Sequence, residues 1–209
     1  MSIDFTEASS LATIDRQIES ERNELSPAQY EIIRQVIYHT ANFEYHSLLK
    51  FSEDALVQGY YALKSGLPVV IDVPEIQVNI VPKLQQTFQN PVYCCATTGI
   101  QVDESKTKAA FGLETLAGKF ANGIFIIGQD RFALNTLIKL IKNKTVNPSL
   151  AIATAPSVLE KDGEEYLKYA SIPTIYLERP QGDATVASTI FSTLVNLALR
   201  VNNYQSSDN

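Results

Sequence analysis

The chemistry open to this chain is concentrated in a handful of side chains. His39 and His46 are its two histidines, the residue type that gives and takes a proton near neutral pH. Both lie in the stretch 34–56, RQVIYHTANFEYHSLLKFSEDAL, between two segments of helical character. His39 reads as the acid–base candidate and His46 as a solvated loop residue. Cys94 and Cys95 fall inside an apolar strand-like run, where packing accounts for them better than nucleophilic chemistry. Gly128-Gln129-Asp130 and Arg179-Pro180-Gln181-Gly182-Asp183 precede helical patterns. Such turns leave backbone N–H groups free for a carboxylate, or for Asp183 to fill as the helix cap. Neither has the G-x-G-x-x-G spacing of a dinucleotide site, and no phosphate-binding P-loop or histidine–carboxylate metal spacing is present.

Composition narrows the function classes. At 209 residues the chain suits one domain with a substantial core. A net charge of −6 argues against general nucleic-acid binding, and an anionic substrate would have to be gathered by local cations. Two adjacent cysteines make no disulfide framework and point to a reducing compartment. No apolar run of membrane-spanning length stands out, and Met1-Ser2-Ile3-Asp4 lacks the features of a secretory signal. A cytoplasmic protein without membrane association is the expectation.

The elements that must position these residues follow from periodicity. Ser26-Pro27-Ala28-Gln29 is a capping box with proline at the first helical position, and Tyr30, Ile33, Val36 and Ile37 continue as an apolar stripe. On a regular helix His39 sits at the margin of that stripe, beside Ile32 and Val36. Thr40 to Phe51 reads as irregular, mixed polar and aromatic, and suited to meeting a ligand. Ser52 reads as the cap of a helix over 53–65 that Gly66 closes. Buried strands are expected at 68–73, 92–96, 123–127, 150–153 and 175–177. Helices are expected near 11–18, at 83–89, 107–119, 130–142 and 160–169, and over 183–201 before a frayed polar tail, 202–209. Continuous apolar strands alternating with helices predict one α/β domain, a doubly wound, mostly parallel sheet with helices on both faces. Ligands of such folds collect outside the carboxyl ends of the strands.

Order and spacing across most of the chain resemble the precorrin-8X methylmutases of corrin (vitamin B12) biosynthesis. The resemblance is strongest where members have a helix ending in Val-Ile, an acidic-aromatic patch and a Phe-Ser-x-x-Ala start. Here these are Val36-Ile37, Phe43-Glu44-Tyr45 and Phe51-Ser52-Glu53-Asp54-Ala55. The resemblance implies an isomerase that moves a methyl group between neighbouring ring carbons of a tetrapyrrole (precorrin-8X or its cobalt counterpart), helped by a histidine acting on a pyrrole nitrogen. It implies no metal or other cofactor, and a homodimer with sites near the interface. Members place the catalytic histidine directly after Val-Ile, where this chain has Tyr38 and then His39. A phenol, titrating at about pH 10, exchanges protons poorly near neutrality, so His39 is the catalytic candidate. By the same resemblance Ser10 (otherwise an N-cap), Tyr38, Thr107, Lys108 and Gly182 contact the substrate. Thr107-Lys108-Ala109 stands for a Thr-Arg-Ser start, and one glycine remains of an Arg-x-Gly-Gly-Ser loop. Asn79-Ile80-Val81-Pro82 replaces a Gly-Ile-Thr-Arg segment that lines the pocket. These changes keep a second reading open, a non-catalytic relative that binds a tetrapyrrole or a partner protein.

Overall fold

The computed structural model describes residues 5–18, 24–98, 100, 106–156, 171–179 and 181–207. In chain order these form α1 (Phe5–Gln17), α2 (Pro27–Thr40), α3 (Tyr45–Leu48), β1 (Leu49–Phe51), α4 (Ala55–Lys64), β2 (Val69–Ile71), α5 (Pro74–Gln85), β3 (Val92–Cys94), α6 (Cys95–Thr98), α7 (Lys108–Lys119), β4 (Ile124–Ile127), α8 (Arg131–Lys142), β5 (Leu150–Ala153), β6 (Thr174–Leu177) and α9 (Ala184–Ser207). The helix expected over 160–169 lies outside the described residues.

Capping chemistry starts the helices. Ser26 Oγ accepts from the Gln29 N–H while Gln29 Oε1 accepts from the Ser26 N–H, so two donors that α2 leaves orphaned are satisfied together. Thr107, Asp130 and Asp183 likewise accept from the N–H groups of Ala110, Ala133 and Val186. Ala41, at φ 54°, turns the chain out of α2.

The short apolar runs assemble into one six-stranded sheet in the order β1-β6-β5-β4-β2-β3, all parallel except β1. Successive side chains leave a strand on opposite faces, so a strand apolar at every position needs cover on both. Ile71, Ile126, Ile152 and Ile175 align across four strands and join α1–α5 and α9 in one core. Val70, Phe125, Ala151 and Tyr176 point the other way, into a second core built with α7 and α8. Each such isoleucine adds roughly 1.5–3 kcal/mol on burial, and both faces of the expected doubly wound sheet are covered.

Four readings change. The expected irregular stretch 40–51 contains α3 and the antiparallel edge strand β1; three residues are too few for a periodic signal. Ser52 is not a helix cap. Its Oγ accepts from the Thr174 N–H at 2.9 Å, clasping the sheet edge, and α4 begins after Asp54. The helix expected at 83–89 instead spans Pro74–Gln85, with Pro74 at its start and Pro82 inside it. Asn79 to Pro82 is therefore helical. The final helix also runs on to Ser207, past the boundary at 202. Its Ala184–Tyr204 portion is long and apolar enough, by length and composition, to cross a membrane. Val186, Ile190, Phe191, Leu194 and Val195 of that portion are buried in the core.

Candidate active site

Connectivity brings the candidate residues to one edge of the sheet. A helix that links two parallel strands begins at the carboxyl end of the first. The starts of α5, α7 and α8 therefore share that edge, and α9, which follows the carboxyl end of the parallel strand β6, starts there as well. Because β1 is antiparallel, with Leu49 opposite Leu177, the chain leaving α2 through α3 arrives there as well. The Tyr45 hydroxyl donates to the Gln181 carbonyl at 2.7 Å and ties α3 to the loop before α9. Burial, with Asp183 and Glu44 nearby, pushes the Tyr45 phenol above its ordinary pKa and keeps the proton for that bond.

At the end of α2, Tyr38 and His39 leave the helix about 100° apart. Their rings meet edge to face, with centroids 5.2 Å apart at 75°. Tyr38 packs against the core and lines a cleft of about 350 Å³ with Ser9, Ser10, Thr13 and Phe43. His39 is exposed and lines a different cleft, of about 340 Å³, between α2, α5 and α9, with Asn79, Lys83 and Ser188 among its walls. Ile32 and Val36 are fully buried and His39, on the same side of α2, is exposed, which places it at the margin of the apolar stripe. Ser10 lies within α1, not at its cap, and its Oγ donates to the Thr6 carbonyl. A ring nitrogen of His46 meets the Phe43 carbonyl, and the residue belongs to α3 rather than a solvated loop.

The remaining candidates stand apart from both clefts. Thr107 accepts the Ala110 N–H, and Lys108 is exposed at the first position of α7. Gly182 is buried, and a Cβ there would lie 2.1 Å from the Thr154 carbonyl oxygen, so the position has no room for a side chain. Asp183 caps α9, the alternative the sequence left open for this loop. None of Thr107, Lys108 and Gly182 lines either cleft. Among the described residues no group of three or more His, Cys, Asp or Glu side chains could hold a metal ion.

One residue overlooked in the sequence organises the point where strand order reverses, between β2 and β4. Asp72, fully buried after β2, accepts at Oδ1 from the Val73 and Gly128 N–H groups and at Oδ2 from those of Gln129 and Asp130, the last two at 2.7 Å. Burial raises its pKa, and these backbone donors pull the other way. The anion-binding turn after β4 thus holds a carboxylate of the protein itself. The Gln129 side chain passes the constraint on, accepting from the Ala184 N–H at the start of α9. An acid closing a buried strand is the signal that could have found Asp72; it reads equally well as a strand boundary.

Comparison with known proteins adds the family. A family profile described as CbiC, precorrin-8X methylmutase, matches residues 6–197. The chain belongs to the precorrin-8X methylmutase family. A cobalt-precorrin-8 methylmutase of Synechocystis sp. is 29% identical over 206 residues, covering 91% of this chain and 94% of the relative. Another, of Methanocaldococcus jannaschii, is 27% identical over 179 residues, covering 84% and 83%. Among solved structures, a precorrin-8X methyl mutase from Thermus thermophilus superposes with a TM-score of 0.79 at 23% identity, covering 93% of this chain and 96% of that one. At that identity the likeness is one of fold. In this chain Ser10 and Tyr38 line one cleft, while His39 lines the other.

Proposed function

We propose that this chain is an isomerase of cobalamin biosynthesis that moves a methyl group between neighbouring ring carbons of precorrin-8X or cobalt-precorrin-8. The proposal carries the family's activity to this chain and gives the proton transfer to His39. The shift is internal to the substrate. A proton lent to a pyrrole nitrogen and then returned leaves no net redox change, so no nicotinamide or resident metal is required. The observation that supports this reading is the Tyr38–His39 ring pair at the edge where ligands of such sheets collect. The phenol occupies the position the family gives to its histidine, beside Ser10, and the imidazole touches that phenol. Tyr38 and Ser10 would hold the ring nitrogen's surroundings. Thr107, Lys108 and the Gly182 loop, at the same edge, would meet peripheral carboxylates. A cleft of about 350 Å³ is at the small end for drug-sized ligands, and a corrin is larger. A second copy covering the exposed part of the macrocycle fits the homodimer proposed with it. A cytoplasmic location accompanies the reading.

A second reading has its own observation. His39 faces the hydroxyl-lined cleft rather than the one holding Ser10, as in a relative that binds a tetrapyrrole without rearranging it. Purified protein given precorrin-8X separates the two. Appearance of the orange product chromophore, with turnover reduced about 100-fold or more in His39→Ala and binding retained, supports the isomerase. Tight binding with no spectral conversion selects the second reading.

A further inference from the structure

The cleft between α2, α5 and α9 has a composition that apolar packing does not account for. Its walls carry one lysine, one histidine, amides and a row of hydroxyls, and no carboxylate. Lys83 is half-buried, and its ammonium reaches the Ser192 carbonyl only at 3.5 Å. Burial lowers its pKa, so part of its hydration is lost without a counter-charge to replace it. The hydroxyls divide into two sets. Ser188 and Thr193 donate to carbonyls one turn back on α9, at 2.6 and 2.8 Å. Thr185, Thr189 and Ser192 have no side-chain hydrogen bond within the protein among the described residues and can donate into the cleft. Asn79 donates to Ser188 Oγ and stiffens the wall between α5 and α9.

We propose that this cleft is a carboxylate-binding site in which the Lys83 ammonium supplies the charge and the α9 hydroxyls supply the hydrogen bonds. A single fixed cation among neutral donors matches a monoanion. A phosphate dianion is better held by an arginine fork or free backbone N–H groups. Of the cleft's wall helices, α9 enters it from near its start, at Thr185, and that start is already capped by Asp183. The net charge of −6 adds to the argument, since an anion is retained only where a local cation outweighs the summed field. The carboxylate comes either from an acid side chain of the macrocycle, which rests on the function proposed above, or from a free small acid, which does not.

The test is an NMR titration of 15N-labelled protein with acetate against chloride at constant ionic strength. The wild type is expected to shift the amides of Lys83, Ser188 and Ser192. Lys83→Met is expected to weaken acetate binding about tenfold or more, and Lys83→Arg to restore it, which separates loss of charge from loss of fold. Acetate that leaves these amides unmoved, or that binds Lys83→Met as well as wild type, overturns the site. A corrin polyacid added next identifies the source: competition with acetate assigns the carboxylate to the macrocycle, and simultaneous binding assigns it to a free acid. A polyacid that fails to bind counts against the proposed function, while the acetate result still decides this cleft.

Discussion

Asp72→Asn tests the claim that a buried acid, and not a ligand, holds the switch-point turn. The carboxylate receives four backbone N–H groups, the two shortest into Oδ2 at 2.7 Å. Asparagine keeps one acceptor oxygen and places an NH2 group against the Gln129 and Asp130 N–H donors. Two buried donors lose their partner, at about 1–3 kcal/mol each. Relief from burying the charge offsets part of that, leaving a net loss of about 2–4 kcal/mol. At this chain length that corresponds to a fall in Tm of roughly 4–16 °C. Urea unfolding followed by far-UV circular dichroism measures it. The substitution should also change the pH profile. Because the folded-state pKa is raised above the ordinary 3.8, the folded protein binds more protons than the unfolded chain between the two values. This contribution is full below the unfolded pKa and is lost as pH rises through the folded one. Asp72→Asn removes that slope. A variant within about 0.5 kcal/mol of wild type, with an unchanged pH profile, would refute the reasoning, because only a turn that stands without its acceptor gives that result.

Gly182→Ala forces a Cβ to within 2.1 Å of the Thr154 carbonyl; a loss of about 3 kcal/mol or more is expected in thermal unfolding, through displacement of the α9 start. Tyr45→Phe removes the 2.7 Å bond to Gln181 and should cost about 1 kcal/mol, read by the same unfolding assay. Cys94 and Cys95 are buried, and burial with the nearby Asp72 charge pushes the Cys95 thiol up. Ellman's reagent should therefore titrate no thiol in the native protein and two after unfolding. Rapid native labelling at Cys95 would show that the junction of β3 and α6 opens.

The architecture was largely legible because it rests on local patterns. Val69 to Ile71, Ile124 to Ile127 and Leu150 to Ala153 are apolar at every position, which only a doubly covered sheet accommodates. The capping box at Ser26 and the acids at 130 and 183 mark helix starts within three residues of the groups they satisfy. β1 escaped because a three-residue edge strand has no period and is defined by its pairing with β6, far along the chain. α5 escaped because two prolines read as breaks; one is compatible with the first turn and the other is accommodated in the interior.

The site divides along the same line. Sequence alone determined which residues are available and that the helices begin at one edge of the sheet, since capping and periodicity act between neighbours. The tertiary fold alone decided that Tyr38 and His39 serve different clefts, because that depends on which helices flank α2. It also decided that Asp72 occupies the turn at 128–130, and that Lys83 faces the hydroxyls of α9. These last contacts join residues 56–58 and 109 positions apart, and no local pattern encodes a partner at that distance.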